Sequence, residues 1–230
     1  MTADDFRASL ELERNWRRGE LAFFKNQMNS IPEENNKSRY RKSLVLILYS
    51  HMEGYIKIAL QTYIKYINEL GLKRKEVLSG LIAASMDDVF SAYENPGRKS
   101  DIFRRKLPED AALYRFSRRV DLVEQMEEFK EEILSIEDTA IDTESNLWYI
   151  VLQKNLYKIG LPVDLFVSYQ KDIDALVNRR NSIAHGNFRA GVSEQEFSNW
   201  ETKISHVMDD ITIVLSEYVN RQKYLRSGGT

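Results

Sequence analysis

Apolar residues recur along this chain mostly at steps of three and four, separated by charged and amide side chains, a period that predicts helices almost throughout. No convincing strand pattern interrupts them, so the expected fold class is all-α. A first helix is predicted from about Asp5 to Met28, ending before the loop SIPEENNKS. The second, from about Ser38 to Leu70, sets Val45, Leu48, Met52, Ile56, Ala59, Tyr63 and Ile67 on one line, with Leu44, Ile47, His51, Tyr55 and Ile58 beside it. So broad a stripe implies deep burial, and Gly71 is placed to stop the helix as a C-terminal cap.

A third helix is predicted from about Arg74 to Tyr93, followed by the turn-rich NPGRKS. Residues from about 94 to 135 then read as a charged helical insertion, with shorter helices between Ile102 and Leu134 divided at Pro108. The polar IEDTAIDTESN is expected to be a loop whose Thr143 or Ser145 caps the helix NLWYIVLQKNLYKIG, which Gly160 and Pro162 end. From Val163 the helical spacing resumes through Leu165, Phe166, Tyr169, Ile173, Leu176, Val177, Ile183 and Ala184. The last helix has the clearest start: Ser193 and Glu196 form a capping box, Val192 and Phe197 its flanking staple, and the helix runs to about Lys223. The tail from Tyr224 is expected to fray. At 230 residues, without internal repeats, the chain fits a single domain over 1–230.

Composition narrows the chemistry. The absence of cysteine excludes disulfides, thiolate zinc sites and cysteine nucleophiles. No apolar run approaches the length of a membrane span, and MTADDFRASL is acidic where an export signal is basic and then apolar, so a cytoplasmic chain without membrane contact is expected. His206 with Asp209 and Asp210 lacks metal-site spacing, and no glycine-rich phosphate loop is present, so neither metal nor cofactor is expected.

The formal charge of −2 conceals a strong asymmetry. Between Arg98 and Arg119 eight basic residues stand against three acidic ones, whereas from Asp121 to Glu144 ten acidic residues face only Lys130. These runs read either as solvated faces that partly neutralise each other or as a phosphate-tracking surface carried by Arg104, Arg105, Lys106, Arg115, Arg118 and Arg119.

The stretch NRRNSIAHGNF, residues 178–188, breaks the pattern. Extending the stripe Tyr169, Ile173, Leu176, Val177 by one step lands on Arg180, a guanidinium where an apolar side chain is due. A charge so placed needs a carboxylate, a pocket or a second subunit. His185 lies five residues on, about 140° around an unbroken helix, but Gly186 lets the backbone leave the helix, so that the imidazole can swing back toward the arginine. The alternative is that Arg180 pairs with a core acid such as Glu53 and His185 caps the helix end.

The run Arg180-Asn181-Ser182-Ile183-Ala184-His185 resembles the RNxxxH form of the Rx4-6H motif of the HEPN superfamily of all-helical nucleases. The segments HMEGYIKIAL and DTESNLWYIVLQKNLYKIGL, with the closing RRNSIAHG, are similar in the same order to stand-alone bacterial HEPN proteins of toxin and defence loci. The resemblance implies a HEPN-like bundle of four to five core helices with an added helical insertion. It also implies a homodimer whose two motifs meet, and metal-independent RNA cleavage regulated by an antitoxin or a neighbouring defence protein. On that footing His185 is the expected general acid or base, since histidine titrates near neutral pH, and Arg180 the fixed cation for the phosphorane. Asn181 is expected to orient the histidine or the phosphate. Arg179 is a second candidate within the permitted spacing, while His51 and Glu53 on the central helix are possible supporting residues. Where one subgroup carries a modifiable tyrosine two places after the histidine, this chain has Asn187, so control through that tyrosine is not expected. A non-catalytic HEPN-like module binding RNA, a nucleotide or a partner protein is the alternative function.

Overall fold

A computed structural model describes residues 1–95, 97 and 110–226, and among them the chain is helical with only two isolated β-bridges. The helices are α1 (Ala3–Asn29), α2 (Glu34–Glu69), α3 (Ser79–Ala84), α4 (Asp87–Glu94), α5 (Ala111–Glu131), α6 (Tyr149–Lys158), α7 (Gln170–Ala184) and α8 (Glu194–Asn220). No described helix is long and apolar enough to cross a membrane.

The bundle is built around α2, which packs on α1, α7 and α8. The stripe Val45, Leu48, Met52, Ile56, Ala59, Tyr63 and Ile67 is buried throughout, and the neighbouring Leu44, His51 and Tyr55 are buried too, leaving Ile47 and Ile58 half-exposed. Each fully buried aliphatic side chain contributes about 1.5–3 kcal/mol, so this helix carries the core. α8 closes the bundle; Ser193 Oγ accepts from Glu196 N–H at 3.2 Å, and the staple residues Val192 and Phe197 are both buried.

The third predicted helix is divided. Arg74–Glu76 is a single 3-10 turn, and α3 and α4 follow separately. The break has a hydrogen-bond cause: Leu78 N–H goes to Tyr224 O at 3.0 Å, away from the carbonyl a continuous helix would offer it. The Arg74 guanidinium, 8% exposed, then bridges the turn to Ser85, to Phe129 O and to Glu132. Of the tail expected to fray, Tyr224 is buried and Arg226 N–H donates to Glu76 O at 2.8 Å, while residues 227–230 lie outside the described residues.

α7 begins at Gln170, later than the apolar spacing from Val163 predicts, because Phe166 adopts a left-handed φ of 66° that no α-helix accommodates. Within the charged insertion, α5 packs on α4 and on the 74–76 turn, apart from the main bundle. Residues Ile102–Glu109, including the division at Pro108, lie outside the described residues.

Candidate functional site

Ile173, Leu176 and Val177 bury the inner face of α7 against the bundle, and the next step on that face is Arg180. Its guanidinium meets an aromatic ring: Cζ lies 5.0 Å from the centroid of Tyr49 on α2. Nη1 donates to Asn181 Oδ1 at 2.8 Å and to Asn146 Oδ1 at 3.2 Å. Both acceptors are neutral amides, and among the described residues Arg180 forms no ion pair, with Glu53 or any other acid. No carboxylate among the described residues lies within ion-pair distance of it. Nε and Nη2 carry no hydrogen bond among the described residues and are not sealed from solvent, which leaves a two-donor edge of the kind that grips a phosphate.

Tyr49 holds this arrangement from below. It is 1% exposed, and its hydroxyl accepts the Leu147 N–H at 2.9 Å. Burial, reinforced by the carboxylate of Glu53 one turn further along α2, pushes its pKa up to about 12, so the hydroxyl stays protonated. Glu53 thus acts on Tyr49, which in turn lies under Arg180.

Asn146 reaches the site on the loop between the insertion and α6. Its anchor is Asn155, 2% exposed, whose amide accepts from Asp142 N–H at 3.0 Å and donates to Asp142 O at 2.7 Å. Above that clamp Glu144 and Ser145 both take left-handed φ values, 49° and 68°. Such conformations cost about 1–3 kcal/mol each in residues other than glycine and persist only where the surroundings enforce them. Neither Thr143 nor Ser145 caps α6, as the sequence had suggested: the N-cap is Trp148, and Asp174 of α7 takes the Tyr149 N–H at 2.9 Å.

His185 is the C-cap of α7, its N–H donating to Asn181 O at 2.9 Å. Gly186 turns the chain with φ +73°, and Phe188 N–H comes back to Ser182 O at 2.9 Å. The imidazole is exposed, and among the described residues nothing holds it by a hydrogen bond or ion pair. Asn181 connects both motif residues, through its side chain to Arg180 and through its carbonyl to the backbone of His185.

Arg179 points elsewhere. It bonds Glu196 on α8 at 2.6 Å and stacks between Phe188, 4.1 Å from its centroid, and Trp200 at 5.3 Å. It fastens the loop after the motif to α8. Gly191 and Val192 complete that seam: Val192 N–H donates to Ser38 O at 2.9 Å.

His51 also lies apart from the motif. It is buried against α1, edge-on to Trp16, with Glu20 Oε2 3.2 Å from Nε2 but not aligned for a hydrogen bond. Of the basic run, Arg104, Arg105 and Lys106 lie outside the described residues; Arg115 and Arg119 are exposed, Arg119 donating to Tyr93 Oη at 3.1 Å. Arg118 is 8% exposed, which leaves little of it for a phosphate-tracking surface. The cleft of about 1050 Å³ between α3 and α6 is lined by none of the motif residues. Among the described residues no group of His, Cys, Asp or Glu is arranged to hold a metal ion.

Sequence reasoning did not find Asn146 and Tyr49. Tyr49 precedes Glu53 by one turn, the only local hint of its role; Asn146, 34 positions from Arg180, carries no local signal.

A family model described as HEPN_MAE_28990:/-like HEPN matches residues 6–224 of the chain. No curated protein and no solved structure matches it.

Proposed function

The chain belongs to this HEPN family, which spans nearly its whole length, and from that premise we propose that it is an endoribonuclease working with Arg180 and His185. The observation that supports the reading is the state of Arg180: half-buried, held at one nitrogen by two amides, without an ion-pair partner among the described residues and open along its other edge.

In the proposed reaction the 2′-oxygen of a ribose attacks the adjacent phosphorus and the bond from phosphorus to the 5′-oxygen breaks. A base takes the 2′-OH proton and an acid protonates the departing 5′-oxygen, giving a 2′,3′-cyclic phosphate and a 5′-OH end. The exposed imidazole of His185 serves as the acid or base. The free edge of Arg180 bears the charge that develops on the phosphorane oxygens, for which a preorganised guanidinium is suited. Two copies meeting at their motifs would supply two imidazoles, one for each proton, and the physiological setting we propose is a toxin or defence effector restrained by a cognate partner protein.

The test is cleavage of a mixed RNA substrate in EDTA by the wild type, Arg180→Ala and His185→Ala. Cleavage by the wild type alone supports the reading. Equal cleavage by folded variants refutes the assignment of the residues, and saturable binding without turnover by the wild type identifies a non-catalytic module.

A further inference from the structure

We infer that Asn146 is a positioning residue for Arg180, delivered by a strained loop whose purpose is to fix the guanidinium before substrate arrives; this rests on reading Arg180 as the group that contacts phosphate. An arginine side chain has several rotatable bonds, and in solvent its fork points nowhere in particular. Here two restraints act on opposite parts of the same group. Arg180 Cζ lies over the Tyr49 ring, 5.0 Å from its centroid, which bounds the group on one side, and the Asn146 and Asn181 oxygens both engage Nη1, which holds that end of the fork. Asn181 alone cannot do this, because it neighbours Arg180 on the same helix and moves with it. Asn146 arrives from a different element and so ties the guanidinium to the rest of the bundle.

The loop that carries Asn146 is built for this. It is held at its base by Asn155, in its middle by the Leu147 N–H on the Tyr49 hydroxyl, and at its end by Asp174 on the Tyr149 N–H. Between the first two anchors stand Glu144 and Ser145 in left-handed conformations. Tyr49 therefore serves both halves of the device: its ring supports Arg180 and its hydroxyl holds the residue next to Asn146. The chemical choice of an amide also matters. Asparagine accepts from Nη1 without cancelling the charge, whereas an aspartate in its place would form an ion pair and draw the guanidinium away from an incoming phosphate.

Two measurements on the full chain test this. In the first, nitrogen-15 NMR of arginine side chains reads Arg180 directly, its signals assigned by their absence in Arg180→Lys. Restricted rotation gives separate Nη1 and Nη2 signals in the wild type and in Asn146→Asp, and a single averaged signal in Asn146→Ala. Unchanged Arg180 signals in Asn146→Ala overturn the inference, whether or not the protein cuts RNA. In the second, steady-state cleavage by Asn146→Ala shows kcat lower by roughly ten- to a hundredfold with KM little changed, as expected of misplaced rather than missing charge. Asn146→Asp keeps the guanidinium ordered yet is also slowed. Wild-type kcat in a folded Asn146→Ala overturns the inference. If the wild type cuts no RNA, the nuclease reading fails, and the NMR comparison alone decides the role of Asn146.

Discussion

Arg179 and Arg180 are neighbours with opposite fates: the first is neutralised by Glu196 at 2.6 Å, the second is held by two uncharged amides and keeps its charge. Substituting each in turn should separate stability from activity. Arg180→Ala is expected to leave the urea midpoint close to that of the wild type while kcat on RNA falls by about 10²–10³. Arg179→Ala should be less stable by about 1–2 kcal/mol, from a half-exposed ion pair and two aromatic contacts, with a smaller effect on kcat. Urea unfolding and steady-state kinetics on the same preparations check both.

Tyr49→Phe retains the ring under Arg180 and removes the acceptor of the Leu147 N–H. A buried donor left without a partner costs about 1–3 kcal/mol, and that loss should appear in equilibrium unfolding. Because the hydroxyl is pushed up to about 12, no change in the pH dependence of cleavage between pH 6 and 9 is expected to arise from Tyr49 itself.

His51 predicts an acid sensitivity unconnected with the motif. Burial, opposed by Glu20 and aided by Arg17, lowers its pKa from the ordinary 6.5. The unfolded chain therefore binds the proton first as pH falls. Stability from this group is complete above about pH 6.5 and declines as the pH drops below it toward the folded-state pKa. Comparing urea midpoints at pH 7.5 and 5.5, the difference should shrink in His51→Phe.

Gly191 lies where the loop after the motif crosses the start of α2, and a Cβ there would overlap Ser38 Oγ and approach Ser38 Cβ to 2.6 Å. Gly191→Ala should push the loop off α2, lengthen the Val192 N–H to Ser38 O bond and destabilise the protein by about 1–3 kcal/mol. Faster amide exchange at Val192 and a lowered midpoint would register it.

What could be read from the sequence follows the range of each interaction. The stripe of α2 and the capped start of α8 are periodic or local features, and both stand in the structure where the spacing put them. The motif spacing was legible for the same reason, because Arg180 to His185 spans six consecutive positions at a helix end. The third helix was not, because the bonds that divide it come from Tyr224 and Glu132, far along the chain. Asn146 carries no local signal, and only the fold brings it to Arg180. A neutral amide could not be told from a carboxylate as the partner of a half-buried arginine by periodicity, which reports that a position faces inward but not what it meets there.

The end of α7 gives the two motif residues unequal freedom. A side chain on an exposed terminal turn changes rotamer on the picosecond to nanosecond scale, whereas the Arg180 guanidinium has two amide acceptors and a ring beside it. On the proposed reading, the position of the phosphate is set by Arg180, and variation among backbone poses falls to the exposed imidazole. A ribonuclease arranged this way would tolerate diverse sequences at the scissile step while remaining strict about the location of the phosphorus atom.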